Sequence, residues 1–187
     1  MSFYEMAYNV DYENGQTVGN WEMGDFDLIK FWKGEKYDGE IPESVRLYIR
    51  SEDENLEHPD ILPNPVSWLI VSQRLLDFWL PSIKSDIQIF GAPVYRQSDG
   101  VKVEGYKLIN PICVLSCVDL EKTKTRIDKR GKLTCIGDIY IKKDCVKGHH
   151  MFRAKENMHA VIVSYELAHS LEGKGFKGLA FIRCEAT

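Results

Sequence analysis

Five stretches of this sequence carry residue types that could do chemistry. Gly173-Lys174-Gly175-Phe176-Lys177-Gly178 matches the glycine pattern of a dinucleotide-binding loop letter for letter. Such a loop works where its glycines join a strand to a helix N-terminus that receives a pyrophosphate. Here the glycines follow a helical phrase and lead into a strand, so chain reversal past a helix end explains them better. Cys145, His149 and His150 supply metal-ligand types within a short span, and Cys135 or His159 would complete a tetrahedral zinc set. No paired C-x-x-C knuckle is present, and Lys142, Lys143 and Lys147 raise the electrostatic cost of a divalent cation. A solvated loop is therefore expected there, with no metal and no cofactor assigned.

Ser72 and Ser164 each stand between an apolar run and a helical phrase, where a hydrolase would carry its nucleophile. Neither has the flanking glycines of G-x-S-x-G, and helix capping explains both hydroxyls. Asp25 and Asp27 form an Asp-x-Asp pair suited to a metal or to acid and base work. On a strand both would point from one outward face, so solvation is the default. No H-E-x-x-H, Walker loop or EF-hand spacing occurs, so no catalytic residue is assigned and the chain is read as a non-enzyme.

The elements that would position these residues are legible in outline. Phe3 to Tyr8 suits a first strand, and Val45, Leu47 and Ile49 alternate with Arg46, Tyr48 and Arg50 as in a strand buried on one face. Pro59, Pro63 and Pro65 then force an extended passage. Trp68 to Val71 reads as a strand, Ser72 caps a helix carrying Leu75, Leu76 and Trp79, that helix stops at Pro81, and Asp86 to Phe90 resumes a strand. The same grammar returns 92 residues later in Ala160 to Val163, Ser164, Leu167, Ala168, Leu171 and Leu179 to Ile182. Duplication and coincidence explain the echo equally well, because strand, serine cap and amphipathic helix make a common phrase. Between the two units Tyr106 to Val118 reads as one or two strands, and Gly131 as a turn into a strand from Leu133 to Ile141. The expected fold class is α+β: mixed, mostly antiparallel sheets with a few short helices and two similar strand–helix–strand units. The expected organisation is one domain over residues 1–187, with sub-units at 1–100 and 101–187.

Composition narrows the function classes. The 187 residues are 44% apolar and 28% charged, inside the range of chains that build their own core. Apolar runs are short and the N-terminus has no basic start, so neither a membrane span nor a signal peptide is expected. Cys113, Cys117, Cys135, Cys145 and Cys184 make an odd count without a regular framework, and no N-glycosylation sequon occurs, which predicts a reducing, cytoplasmic setting with cysteines used as core. Residues 1–60 carry a net charge of −10 and residues 61–187 one of +6. The basic run from Asp119 to Lys132 has no aromatic residue to stack on bases, so no nucleic-acid partner is expected.

The acidic N-terminal third supplies the candidates for a protein interface. Aromatics there lie among carboxylates, a mixture that suits a basic partner and speeds encounter. The candidates are Trp21, Asp25, Asp27, Trp32, Glu35 and Asp38, joined by the run Glu52, Asp53 and Glu54.

Several phrases together resemble the signature of a bacterial family. Near the C-terminus these are Met151-Phe152-Arg153, Val161-Ile162-Val163-Ser164-x-x-Leu167 and Gly175-Phe176-Lys177-Gly178-Leu179-x-Phe181. In the middle they are Asp60-Ile61-Leu62, Leu69-Ile70-Val71-Ser72-x-x-Leu75, and Tyr106-x-Leu108-Ile109-Asn110 leading to Val118-Asp119. The chain resembles the immunity protein 11 family over roughly residues 40–185, a family found beside genes of contact-dependent and type VI secreted toxins. The resemblance implies binding and neutralisation of a cognate toxin encoded by an adjacent gene, with no family catalytic residues to carry across. A small metal-dependent enzyme using Asp25, Asp27, Cys145 or His149, or a sensor whose two units frame a ligand cleft, are the alternatives.

Overall fold

Both strand–serine–helix phrases form in the computed structural model, which describes residues 2–9, 15–127 and 133–187. The first half runs β1 (Phe3–Tyr8), β2 (Val18–Glu22), α1 (Leu28–Trp32), β3 (Arg46–Ile49), β4 (Leu69–Ser72), α2 (Gln73–Ile83), β5 (Ile87–Gly91) and β6 (Val94–Arg96). The second half runs β7 (Tyr106–Pro111), β8 (Val114–Leu115), β9 (Thr125–Ile127), β10 (Leu133–Cys135), β11 (Tyr140–Ile141), β12 (Met151–Ala154), β13 (Asn157–Ser164), α3 (Tyr165–His169) and β14 (Leu179–Ala186). Strand outweighs helix by 38% to 17%, and most pairings are antiparallel, so the α+β class is the observed one. The turn expected at Gly131 lies outside the described residues, as do the cations Lys129, Arg130 and Lys132.

Each serine caps its helix as its spacing dictates. The Ser72 hydroxyl accepts from the Leu75 amide at 3.1 Å and the Ser164 hydroxyl from the Leu167 amide at 3.2 Å. Strands β4 and β5 both run antiparallel to β7, which lies between them, while β13 and β14 both run antiparallel to β1. Each phrase thus places two strands either side of a reversed central one. In the first unit the central strand follows the phrase in sequence; in the second it comes from the N-terminus.

Helices α2 and α3 meet in one core. Leu69, Val71, Leu75, Leu76 and Trp79 from the first phrase pack in a single cluster with Val161, Val163, Leu167, Ala168 and Leu171 from the second. These are the residues that echo each other 92 positions apart. Because side chains alternate across a strand, Trp68 and Ile70 face the other way, into a second core with Leu47, Ile49 and Val94 beneath the β2-β3-β6 sheet. Ile162 likewise faces a third core with Phe3, Phe152, Cys117 and Cys184. Strands buried on both faces read as continuous apolar runs, which is why β4 and β13 stood out in the sequence.

Helix α2 passes the expected stop and continues through Pro81 to Ile83. Proline in a helix costs about 3 kcal/mol, since it donates no hydrogen bond and crowds the preceding turn. Ile83 is fully buried in the first core, which offsets about 1.5–3 kcal/mol, and the Lys84 amide closes the turn on the Leu80 carbonyl.

The glycine loop behaves as a chain reversal. Gly173, Gly175 and Gly178 all adopt left-handed φ, at 70°, 68° and 79°. A side chain at Gly178 would come within 2.9 Å of Pro59 Cβ, because this turn lies against the proline-rich passage. The contact is sealed by Asp60, whose backbone amide donates to the Lys177 carbonyl at 2.9 Å.

Candidate partner-binding surface

The N-terminal acidic stretch does not form the strand that would align Asp25 with Asp27. Asp25 sits exposed in a turn, and Asp27 caps α1, its Oδ1 accepting from the Ile29 amide at 3.0 Å and the Lys30 amide at 3.2 Å. Its carboxylate also suits the positive end of that short helix. Trp21 lies on the edge strand β2 with 44% of its surface exposed, and Ile29 on α1 is 56% exposed. Ile29 was not singled out in the sequence, where it looked like one more residue of an apolar run.

Trp32 is half-buried. Its indole nitrogen donates to the Val66 carbonyl at 2.8 Å, and its ring meets His159 edge to face at 4.7 Å. Glu35 and Asp38 follow on a loop held against β5 and β7: the Glu35 carbonyl accepts from Asn110 at 3.0 Å, and the Tyr37 amide donates to Gln88 at 2.9 Å. The side chains of Asp25, Glu35 and Asp38 are exposed and make no ion pair among the described residues.

Glu52, Asp53 and Glu54 lie elsewhere. In the β2–β3 ladder Val18 pairs with Ile49 and Glu22 with Arg46, so Asp53, bonded to Thr17 and Arg50, marks the end opposite Asp25. At about 3.3 Å per residue the ladder separates the two groups by more than about 13 Å. Asp53 is buried and accepts from Thr17 at 2.6 Å and Arg50 at 2.7 Å. Burial pushes its carboxyl up, but those bonds outweigh it and hold the group below the usual carboxylate range. Glu54 accepts from the amide and hydroxyl of Ser98 at 2.8 and 2.5 Å. Glu52 is exposed and pairs with Arg50 at 3.5 Å. Asp53 and Glu54 are thus occupied in holding loops, whereas Trp21, Asp25, Glu35, Asp38 and Glu52 face solvent.

The zinc set weighed in the sequence is not assembled. The His150 ring bonds to the Ser164 hydroxyl at 2.9 Å, His159 packs on Trp32, and Cys135 and Cys145 lie against the third core. His149 turns instead to Asp86, with Nδ1 2.8 Å from Oδ1. Asp86, Cys113 and His149 bring one ligand atom each within 4.8 Å of one another. Residues so far apart in the chain give no spacing signal, which is why the sequence did not reveal them.

All five cysteines are free. Burial pushes the Cys117 and Cys184 thiols up to about 12, and burial together with the Asp86 charge pushes Cys113 up to about 11. At neutral pH these thiols stay protonated, the opposite of an activated nucleophile.

A model of the immunity protein family Imm11 matches residues 8–186. The chain belongs to the Imm11 immunity protein family. The match takes in the acidic N-terminal third, which the motif resemblance beginning near residue 40 had left out. No curated protein matches the chain significantly. Among the described residues of this Imm11 chain no helix is long and apolar enough to cross a membrane.

Two further groups within the matched residues are buried and charged. Asp60 is buried and gathers four donors: Ser72 Oγ at 2.6 Å, Arg74 Nε and Nη2 at 3.2 and 2.5 Å, and the Lys177 amide at 2.8 Å. Burial raises its carboxyl, but the bonds from Arg74, Ser72 and Lys177 outweigh that and hold it below the usual range. Arg153 is 1% exposed and donates through Nη1 to the Met158 carbonyl at 2.8 Å, while Nε and Nη2 have no hydrogen-bond partner among the described residues. Burial pushes this guanidinium down to about 10.

Proposed function

We propose that this chain protects the cytoplasm of its own cell by binding a cognate secreted toxin, one delivered by a contact-dependent or type VI system and encoded by an adjacent gene. Membership of the Imm11 family across residues 8–186 carries this reading. Inhibition by binding needs a stable scaffold and a surface of about 800 Å² centred on one or two aromatic anchors, with no catalytic residue. Trp21 on β2 and Ile29 on α1, both exposed, are the anchors in this reading, and the exposed carboxylates of Asp25, Glu35 and Asp38 its acidic component. Such a component favours a toxin with a basic face. Glu52 lies at the other end of the β2–β3 ladder and would be reached only by a partner spanning that sheet.

A ligand-sensing role is the second reading. A cleft of about 400 Å³ is lined from both strand–helix–strand units by Glu5, Met6, Tyr8, Trp68, His159 and Val161. Co-expression with each neighbouring large reading frame separates the two: binding immunity gives growth rescue and a co-purifying complex, whereas a sensor gives neither.

A further inference from the structure

We propose that Asp86, Cys113 and His149 form a zinc-binding site with its fourth position open to solvent. The three side chains offer a carboxylate oxygen, a sulfur and an imidazole nitrogen within 4.8 Å of one another. A tetrahedral zinc ion holds such donors about 3.5 Å apart. Admitting it opens the 2.8 Å Asp86–His149 pair by under about 1 Å and draws the most distant donors, within 4.8 Å, together by at most about 1.3 Å. Sulfur and imidazole together select a borderline-soft cation and disfavour magnesium and calcium. On binding, the ion displaces the Cys113 proton to solvent, and a carboxylate, a thiolate and a neutral imidazole then balance its two charges, against the cost imposed by Lys84 and Lys147 beside the ligands in sequence.

The backbone holds all three donors in place. The amides of Ile112 and Cys113 both donate to the Asp86 carbonyl, at 2.8 and 3.3 Å, and the Cys113 carbonyl accepts from the Arg153 amide at 2.8 Å. Cys113 is thereby locked to both Asp86 and β12. His149 is aimed by Lys147 and Gly148, at φ 48° and 83°, and its amide closes on the Val146 carbonyl at 3.2 Å. A left-handed lysine costs about 1–2 kcal/mol, an expense at a turn whose result is an imidazole directed at a buried carboxylate. Asp86 is buried, while the His149 side chain is 39% exposed, so water reaches the open position from the histidine side. Asp86 precedes β5 of the first unit and His149 precedes β12 beside the second, so the ion clasps the two sheets together.

The test is titration of the chelator-stripped full chain with cobalt(II), followed by displacement with zinc. The expected result is a one-to-one complex with a thiolate-to-cobalt charge-transfer band, and a melting temperature that rises with zinc concentration. Cys113→Ser abolishes that band, His149→Ala weakens binding by roughly tenfold or more, and Cys145→Ser changes neither. If Cys113→Ser fails to fold, His149→Ala carries the test, since its ring is partly exposed. Absence of the thiolate band, a band that persists in folded Cys113→Ser, or an unchanged cobalt affinity in folded His149→Ala overturns the site and leaves an Asp86–His149 hydrogen bond beside a buried thiol. Neither outcome bears on toxin binding.

Discussion

The Arg74 guanidinium stands 2.5 Å from the carboxylate of Asp60, clamping the proline-rich passage to the first turn of α2. Arg74 also donates to the Gly175 carbonyl at 3.1 Å and lies over the Phe176 ring at 4.5 Å. One carboxylate and one guanidinium therefore tie the first unit to the glycine turn that enters β14.

Replacing Asp60 by Asn should cost about 1.5–3 kcal/mol, because a buried acceptor of charged bonds is lost while its donors remain. Arg74→Ala should cost less, about 1 kcal/mol or below, since that side chain is 57% exposed and screened by solvent. Urea unfolding of both variants measures the difference, and equal losses would contradict the asymmetry.

Acid should destabilise the fold through the same group. Asp60 and Asp53 both titrate lower in the folded chain than the ordinary 3.8, so their stabilisation is present above that pH. It is lost as pH falls below 3.8 toward their folded values. Melting temperature followed from pH 6 to pH 2 should drop in that window, and Asp60→Asn should flatten the drop. An unchanged slope in the variant would remove Asp60 from the account.

Arg153 is the converse case, a buried cation whose side chain makes a single hydrogen bond among the described residues. Arg153→Met, which keeps a long unbranched side chain and removes the charge, should leave the melting temperature unchanged or raise it. A loss above about 2 kcal/mol would show that the guanidinium has partners that repay its burial.

Much of the fold was legible because its strongest signals were local. The Ser72 and Ser164 hydroxyls cap helices as their spacing required, and Leu75, Trp79, Leu167 and Leu171 fill one core. Local signals failed where tertiary packing outweighed them. Burial of Ile83 carries α2 through Pro81, and the Asp27 cap makes a helical turn of a stretch whose acids read as solvated. The charged candidates divided for a reason that sequence cannot carry. Asp53 and Asp25 look alike in the chain, yet one is bonded to Thr17 and Arg50 and the other faces water. Asp86, Cys113 and His149 were invisible as a group because only the folded chain brings them together.

Trp21→Ala should change the unfolding free energy by less than about 1 kcal/mol, since the ring is 44% exposed, while weakening the toxin complex by roughly tenfold or more. Asp25→Lys with Asp38→Lys should slow association most at low salt, where exposed charges are least screened. Calorimetry and stopped-flow binding check the two effects. Full affinity and an unchanged association rate in both variants would move the interface off these residues.

The central claim is tested most directly by co-expressing the chain with each large reading frame beside its gene, scoring growth and purifying through a tag on the toxin. Immunity by binding predicts that one neighbour is lethal alone, that this chain restores growth, and that the two elute as a stoichiometric complex. No lethal neighbour, or rescue without any complex, would contradict it.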